Sequence, residues 1–164
     1  MAEAWTDLRR AGENDVEEVA AILEEAAAWL RSRGIDQWPA RWPRSWLAAR
    51  IREAECYLAL RDGRAAGTLS LQRSDLPIWG ERPPDALYVH RLAVRRRDAG
   101  LGRRLLTWAE QAAAATGRRY LRLDCLAENR QLTAYYERAG YCHRGEVRVA
   151  RRTSSLYEKD VAQP

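Results

Sequence analysis

The 164-residue sequence contains no phenylalanine, one methionine and one lysine, Lys159. Almost all of its positive charge is therefore arginine, a preference that a GC-rich coding bias explains and that by itself says nothing about function. Its three cysteines, Cys56, Cys125 and Cys142, are odd in number and form no CxxC pair, which argues against a disulfide framework and against a zinc site. We expect all three to be small buried hydrophobic residues.

Long apolar runs are also absent, and none approaches the ~20 residues that a membrane-spanning helix needs. The first residues, MAEAWTDLRR, lack the basic and then apolar layout of a signal peptide, so we expect a cytoplasmic protein with no membrane partner. The length predicts a single domain over residues 1–164. A net charge of +5 favours an anionic partner, either nucleic acid or a phosphorylated cofactor.

Hydrophobic periodicity and turn residues predict the element order β-α-α-β-β-β-α-β-α-β-β. The first half is predicted as a strand in WTDLRRA, a helix over Val16 to Arg33, a shorter helix from about Pro43 to Ala54, and a hairpin around Asp62-Gly63. After a loop, SDLPIWGERPPD, the second half is predicted as the strand ALYVHRLAV, a helix to about Thr116, the strand RYLRLDCLA, the helix NRQLTAYYERA, and two closing strands, YCHRGEV and SSLYEKD. This order predicts an α/β fold, a central mixed β-sheet with helices on both faces.

Two glycines follow the central strand in RRRDAGLGRRLL, at the start of the next helix. Glycine weakens helices, so either this is an ordinary flexible turn or the backbone there comes close to a ligand. The first amides of a helix lack intrahelical acceptors, and the helix dipole adds partial positive charge, which suits a phosphate. The arginines expected to add mobile positive charge are Arg95, Arg96, Arg97, Arg103 and Arg104. The segment therefore predicts an anion site.

The same segment resembles the acyl-CoA-binding motif of the GNAT N-acetyltransferases, in which Arg or Gln is followed by two residues, Gly, one residue, and Gly or Ala. Here these are Arg97, Gly100 and Gly102. NRQLTAYYERAGY is similar to the second motif of the family, with Asn129, Tyr136 and Tyr141 at its spacing. The element order matches as well, so the resemblance covers nearly the whole chain. It implies an acetyl-CoA-dependent N-acetyltransferase that transfers the acetyl group to a primary amine of a small molecule.

The resemblance also implies where acetyl-CoA binds. Its pyrophosphate would contact backbone amides of residues 97–103, and its pantetheine arm would lie between the strand ending at Val94 and the strand YLRLDCLA, where the two splay apart. The Val94 amide would form the oxyanion hole. Asn129 would bond the pantetheine, cap the last main helix, or do both. The implied cofactor-binding residues are Leu92, Ala93, Val94, Arg97, Asp98, Ala99, Gly100, Leu101, Gly102, Arg103, Asn129 and Tyr136.

For catalysis, the resemblance implies direct attack by a neutral amine in a ternary complex. Tyr136 matches the position of the proton donor to the leaving thiolate, and the alternative is a packed aromatic residue, as we expect for Tyr135. His90, on the central strand, is the expected base because histidine titrates near neutrality. The alternatives are a hydrogen-bonded structural histidine and proton loss through water. Among the carboxylates, Asp75 and Glu81 compete as base or as ligands for the charge of the acceptor. Asp124 and Glu128 are further possibilities for these roles, although we favour a structural role for both.

Four tryptophans fall in two predicted irregular segments, and the resemblance implies that these segments flank the acceptor side. The four are Trp38, Trp42, Trp46 and Trp79. Indoles there would form an apolar or cation-binding wall, and core packing is the alternative. The predicted substrate-binding residues are Trp38, Asp75, Trp79 and Glu81. Acetyl-CoA is the expected co-substrate, and no metal is expected.

Two other functions stay open on the sequence. Arginine runs with nearby tyrosines are compatible with nucleic-acid binding, but the arginines cluster at one glycine turn and acidic residues are spread through the chain. We therefore expect no nucleic-acid partner. A non-catalytic acyl-CoA sensor would keep the fold and the cofactor site without turnover. A homodimer through the closing strands is left open as well, since nothing in VARRTSSLYEKD decides it.

Overall fold

The computed structural model of the chain describes residues 7–53 and 55–162, which contain seven strands and five α-helices. The strands are β1 (Leu8–Arg10), β2 (Glu55–Arg61), β3 (Arg64–Gln72), β4 (Ala86–Val94), β5 (Tyr120–Leu126), β6 (Cys142–Val149) and β7 (Arg152–Asp160). The helices are α1 (Val16–Ser32), α2 (Arg44–Glu53), α3 (Leu76–Trp79), α4 (Leu101–Ala115) and α5 (Arg130–Arg138), with 3-10 turns at Glu13–Asp15 and Arg96–Asp98.

The strands form a mixed sheet in the order β1-β2-β3-β4-β5-β7-β6. β1 is antiparallel to β2, with Leu8 opposite Ala59, whereas β4 is parallel to β5, with Ala86 opposite Tyr120. β7 is antiparallel to both of its neighbours, β5 and β6. The predicted α/β fold with a central mixed sheet is confirmed. No helix among the described residues is long and apolar enough to cross a membrane.

By its internal packing the chain divides into two compact units. The first contains residues up to 70 together with residues 91–106, and the second contains residues 71–90 together with residue 107 onwards. β4 and α4 each contribute to both units. The single domain expected from the length stays a prediction.

The core of the first unit forms on the apolar face of α1. Ile22 and Leu23 are fully buried there and pack with Leu47 of α2 and Leu58 of β2. Their spacing on α1 is the helical periodicity that the sequence predicted. Burial of this face holds α1 and α2 together, because each large aliphatic side chain contributes roughly 1.5–3 kcal/mol on leaving water.

The hairpin between β2 and β3 turns where the sequence predicted it. Asp62 and Gly63 have φ values of 51° and 74°. Two successive positive φ values match the type I′ turn, whose twist fits the twist of antiparallel strands. The predicted turn is therefore confirmed. It forms here because aspartate and glycine are among the residues that adopt this conformation at low cost.

In the second unit, a buried arginine connects the strands. Arg122 of β5 donates from Nε to Oε2 of Glu158 on β7, at 2.7 Å, and from Nη1 to the hydroxyl of Tyr88 on β4, at 2.9 Å. These charge-assisted bonds satisfy a guanidinium that would otherwise be costly to bury. They therefore fix the positions of three neighbouring strands.

The single lysine of the chain is also engaged in the second unit. Nζ of Lys159 donates to Oε2 of Glu110 on α4 at 3.0 Å and to the carbonyl oxygen of Ala139 at 3.1 Å. The hydroxyl of Tyr141 donates to the other oxygen of Glu110 at 3.0 Å. The carboxylate thus holds the end of α5, so Tyr141 of the second motif has a structural role.

Several sequence expectations need correction. The segment SDLPIWGERPPD was expected to be a loop, but Leu76–Trp79 form the one-turn helix α3, in which Pro77 occupies a first-turn position that needs no amide donor. Trp46 was expected in an irregular segment but lies on α2 and is 40% exposed. Cys56 and Cys125 are buried as expected, whereas Cys142 is exposed, because β6 is the terminal strand of the order. Residues 5 and 6 of the predicted first strand lie outside the described residues.

Candidate active site

Strand β4 carries the central residues of the candidate site. At Arg91 its backbone has a φ of 51°, in the left-handed region. For a residue with a Cβ this conformation costs roughly 1–2 kcal/mol. Such strain persists only where the surrounding structure imposes it, and it is concentrated at functional sites. The strand therefore departs from regular alternation at the point where it enters the segment predicted to hold the thioester, Leu92–Val94.

The glycine turn after β4 has the geometry of an anion site. Gly100 has a φ of 97°, and α4 begins at Leu101. The amides of Gly100, Leu101 and Gly102 lie at the N-terminus of α4, where the first amides of a helix have no intrahelical acceptor. A Cβ on Gly102 would lie 3.7 Å from the Val94 side chain, so space within the protein does not require glycine there. The absence of a side chain instead leaves these amides open to a ligand.

A buried carboxylate within this turn is paired with arginines of the neighbouring hairpin. Asp98 is only 1% exposed, and its oxygens lie 3.2 Å from Nη1 of Arg61 and 3.4 Å from Nη1 of Arg64. Nε of Arg97 is 3.7 Å away. The Asp98 amide donates to the carbonyl of Arg95 at 2.9 Å, so this amide already has an acceptor. The Asp98 side chain therefore supports the turn, and its predicted contact with the cofactor stays a prediction.

Two of the arginines expected to be mobile are held against α1. Nη1 of Arg95 lies 2.9 Å from Oε2 of Glu25, and its Nε donates to the carbonyl of Ala65 at 3.1 Å. The Arg96 amide donates to Oε1 of Glu25 at 2.9 Å, and its guanidinium lies 3.9 Å from the ring centre of Trp29. The expectation of mobile charge is wrong for Arg95, which is fixed by these bonds. Around the turn Arg96, Arg97, Arg103 and Arg104 are exposed.

The second unit brings three titratable residues together. Nε2 of His90, on β4, lies 3.2 Å from Oδ2 of Asp75, and one oxygen of Asp124 on β5 joins them, so that all three ligand atoms lie within 4.8 Å of one another. Asp75 occupies the N-cap position of α3, yet its side chain does not cap the helix. The distance between Asp75 and His90 is that of an ion pair, but the two buried atoms are not aligned as a hydrogen bond.

Burial shapes the electrostatics of this cluster. It is the main cause of the raised pKa of Asp124, and the charge of Asp75 acts in the same direction, while a hydrogen bond with Ser154 and the charge of His90 oppose it. Two carboxylates and an imidazole can accept a proton, pair with an ammonium group, or ligate a divalent cation. These three residues are the ones in the described chain that could hold a metal.

The predicted proton donor, Tyr136, is buried on α5. Its ring makes edge contacts with the rings of Tyr135 and Tyr141, at centroid distances of 5.5 and 5.9 Å. Burial raises the pKa of Tyr136, so the phenol keeps its proton across the physiological range. Asn129 caps the same helix, its Oδ1 accepting from the Leu132 amide at 3.2 Å. The capping role considered for Asn129 is therefore confirmed, and its pantetheine bond stays a prediction.

The cysteine nearest to this chemistry is inert. Burial raises the pKa of the Cys125 thiol to about 12, so it is protonated at neutral pH. A thiol that does not ionise is a poor nucleophile. This favours transfer without an acyl group on Cys125.

The tryptophans and Glu81 lie in different surroundings. Trp38 packs against the core of the first unit and makes an edge contact with Trp42, whereas Trp79 is buried among residues of the second unit that include Tyr88. Glu81 lies on the surface, where it lines an open cavity of about 450 Å³ with residues of the α3 region. Among the described residues it is Asp75, and not Glu81, that meets His90.

Sequence reasoning favoured a structural role for Asp124 over a role in the site and did not single out Arg91. The signal available for Arg91 was the polar pair His90-Arg91 inside an otherwise apolar strand, ALYVHRLAV. The signal for Asp124 was a carboxylate in the equally apolar strand β5. A charged residue in a buried strand requires a partner or a ligand.

Comparison with known sequences gives consistent results. The profile of the acetyltransferase (GNAT) family matches residues 20–141. The uncharacterized N-acetyltransferase YesJ of Bacillus subtilis (strain 168) is 33% identical over 137 residues, which are 77% of this chain and 76% of YesJ. The S-(2-succino)cysteine N-acetyltransferase of the same organism is 27% identical over 157 residues, which are 92% of this chain and 93% of that protein.

Solved structures agree with this assignment. A GNAT-family acetyltransferase from Listeria monocytogenes 4b F2365 superimposes with a TM-score of 0.76 at 25% identity, covering 94% of each chain. The fold of yncA from Salmonella typhimurium, solved with its cofactor acetyl-CoA, matches with a TM-score of 0.67 at 16% identity, covering 98% of this chain and 96% of yncA. On the family profile and the identity to YesJ, the chain belongs to the GNAT family and is an acetyltransferase.

Proposed function

We propose that the protein transfers the acetyl group of acetyl-CoA to the primary amine of a small molecule, by direct attack in a ternary complex. Family membership and the acetyl-CoA bound to yncA support the donor. The relative named S-(2-succino)cysteine N-acetyltransferase acts, by its name, on the nitrogen of a cysteine derivative, which supports a small acceptor.

The donor binds along β4 and at the turn that follows it. The amides of Gly100, Leu101 and Gly102 receive the pyrophosphate at the N-terminus of α4, where the helix dipole favours negative charge. Leu92 and Ala93 lie beside the pantetheine arm, and the Val94 amide faces the thioester carbonyl. As the amine attacks, negative charge develops on that oxygen and the amide stabilises it.

The observation that carries the proposal is the cluster of His90, Asp75 and Asp124. The acceptor reaches the enzyme as an ammonium ion, which has no lone pair and cannot attack until it loses a proton. His90 accepts that proton, and the adjacent Asp75 stabilises the imidazolium that results. Asp124 faces the same point and can pair with the ammonium before deprotonation.

The leaving group, in contrast, must gain a proton. When the carbon–sulfur bond breaks, the thiolate of CoA gains negative charge. Tyr136 remains protonated because burial raises its pKa, so its hydroxyl can donate a hydrogen bond or a proton to the sulfur. With Cys125 also protonated, the acetyl group passes directly to the amine.

The test measures acetyl-CoA binding and CoA release separately. Thermal shift with acetyl-CoA, with CoA and with an oligonucleotide comes first, followed by thiol release with a panel of small primary amines. Stabilisation by acetyl-CoA and amine-dependent thiol release are expected. Stabilisation without turnover for any amine would indicate an acyl-CoA sensor instead, and a salt-sensitive oligonucleotide complex without any CoA effect would indicate nucleic-acid binding.

A further inference from the structure

The first unit contains an arginine whose charge is not compensated by the protein. The guanidinium of Arg91 lies 5.6 Å from the ring centre of Trp46, and no carboxylate in the described chain pairs with it. Its Nη2 is buried and makes no hydrogen bond. Buried donors are nearly always satisfied, so an exception calls for an explanation, and a missing ligand is one.

A second guanidinium lies near the same indole ring. Arg50, on α2, is 5.7 Å from the ring centre of the same Trp46, and its buried Nε also has no hydrogen-bond partner. Its outer nitrogen pairs with Glu53 one turn further along the helix. Burial lowers the pKa of Arg91, and the like charge of Arg50 lowers it further. The protein therefore holds two cations near one indole with donors left over.

We propose that Arg50, Arg91 and Trp46 bind an acidic group of the acceptor, so that the substrate is an amine that also carries a carboxylate or a phosphonate. This inference rests on the proposed function. A guanidinium binds either group through two parallel hydrogen bonds, and the indole provides an apolar wall beside it. The left-handed backbone at Arg91 interrupts the alternation of β4 where the side chain is needed.

The spacing along β4 sets the size of the acceptor. Arg91 precedes Val94 by three residues, and a strand advances about 3.3 Å per residue, so about 10 Å is the upper limit for the distance between their backbones. The amine must reach the thioester carbonyl at Val94 while the acidic group reaches Arg91. Molecules of the dimensions of an amino acid or a short derivative meet this condition.

The experiment compares acceptors that differ only in the acidic group. Each α-amino acid is assayed beside its amide, and aminoalkyl phosphonates form a third set, with kcat/KM measured by CoA release. We expect the acids to exceed their amides by about tenfold to a hundredfold, the factor that one or two charged hydrogen bonds provide. The relative rates of carboxylates and phosphonates identify which acid the site takes.

The variants then assign the effect to the site. Arg91→Gln and Arg50→Gln are expected to abolish the preference for acids, so that each acid and its amide have kcat/KM values within about twofold of each other. Arg52→Gln is the matched control, since it removes one positive charge from the same helix. Arg52 itself pairs with Glu13 on the surface. Equal use of acids and amides by the unmodified protein would overturn this inference and leave the acetyltransferase intact.

A second measurement does not depend on finding an acceptor. If Arg91 serves a ligand, its loss removes an uncompensated charge, so the melting temperature of Arg91→Gln is expected to equal or exceed that of the unmodified protein. If Arg91 is a structural residue, the melting temperature falls by several degrees. Such a fall, with acetyl-CoA binding retained in the folded variant, would overturn the inference even if no amine were acetylated.

Discussion

Oδ2 of Asp75 lies 3.2 Å from Nε2 of His90, although Asp75 stands at the N-cap of a one-turn helix and His90 stands in the central strand. The pair therefore has the arrangement expected of a base and its stabilising partner. Asp124 is the third member and adds a second carboxylate to the cluster.

Replacing His90 by Gln is expected to lower kcat by about a hundredfold to ten-thousandfold, the range of general acid–base catalysis. Asp75→Asn keeps the shape of the partner and removes its charge, so its effect should be smaller and should appear as a changed pH–rate profile. Initial rates from pH 6 to 10 provide the measurement. Acetyl-CoA affinity serves as the control and should stay unchanged in both variants. An unaltered pH profile in His90→Gln would indicate proton loss through water.

The cluster also has the composition of a metal site, and this alternative makes a different prediction. Dialysis against a chelator is expected to leave the rate unchanged if His90 is the base. Loss of activity that Zn²⁺ or Mn²⁺ restores would instead assign the three residues to a cation, since imidazole and carboxylates ligate both.

Gly102→Ala is expected to weaken acetyl-CoA binding at least tenfold while leaving the fold intact. The added methyl group would meet Val94 at an ordinary contact distance of 3.7 Å, and alanine favours a helix by up to about 1 kcal/mol. It would, however, stand in front of the amides that we propose bind the phosphates. Isothermal titration with CoA and thermal unfolding separate the two effects. Unchanged affinity would contradict the placement of the pyrophosphate.

Gly100→Ala is the matched comparison, with the opposite balance. At a φ of 97° an alanine is strained, so this variant should lose roughly 1–2 kcal/mol of stability. Comparing the two alanine variants shows whether affinity follows the position of the methyl group or the stability of the turn.

Tyr136→Phe is expected to lower kcat about tenfold to a thousandfold without weakening acetyl-CoA binding. Because burial raises the pKa of Tyr136, the rate of the unmodified protein should not fall at alkaline pH through ionisation of this residue. Tyr135→Phe, on the neighbouring position of α5, is the control and should change kcat by less than about twofold. Equal rates in both variants would remove Tyr136 from the reaction.

Glu24 is expected to contribute to stability only above acidic pH. Its Oε1 lies 2.6 Å from Nη1 of Arg44, and this hydrogen bond is the main reason that the pKa of Glu24 is lowered. The contribution is therefore complete above the unfolded pKa, about 4.3, and is lost as pH falls through the lower folded value. Glu24→Gln should reduce the free energy of unfolding by about 1 kcal/mol at pH 7.

The effect of the same variant should shrink as pH falls through the lowered folded pKa and should be smallest near pH 2. Urea unfolding at the two pH values measures the difference. Glu128→Gln is the control, because Glu128 is exposed and forms no ion pair with the described residues. An equal loss of stability at both pH values would mean that Glu24 acts by packing and not by charge.

Local signals predicted most of the fold. The turn at Asp62-Gly63, the full length of β4 and the start of α1 at Val16 follow from residue types within a few positions. Helix α3 was missed because a single turn is too short to show periodicity. The surface position of Cys142 depends on the order of strands in the sheet, which no local pattern contains.

The candidate site was predictable in its parts and not in its contacts. The glycine turn was recognisable from its residue types, and His90 and Asp75 were both identified as titratable candidates. That they meet depends on the path of the chain between β3 and β4. Likewise, the pairing of Arg95 with Glu25 joins residues that are far apart in sequence, so the arginine run looked freely mobile when part of it is fixed.

The engagement of Lys159 has a practical corollary for an enzyme that handles an activated acyl thioester. Lysine amines are the usual targets of stray acylation, and here the sole lysine is already bound to Glu110 and the Ala139 carbonyl. Apart from its α-amino group, the protein offers its own donor no other aliphatic amine. Intact-mass spectra taken during turnover should therefore stay almost free of self-acylated species, and label recovered from the reaction can be assigned to the added acceptor.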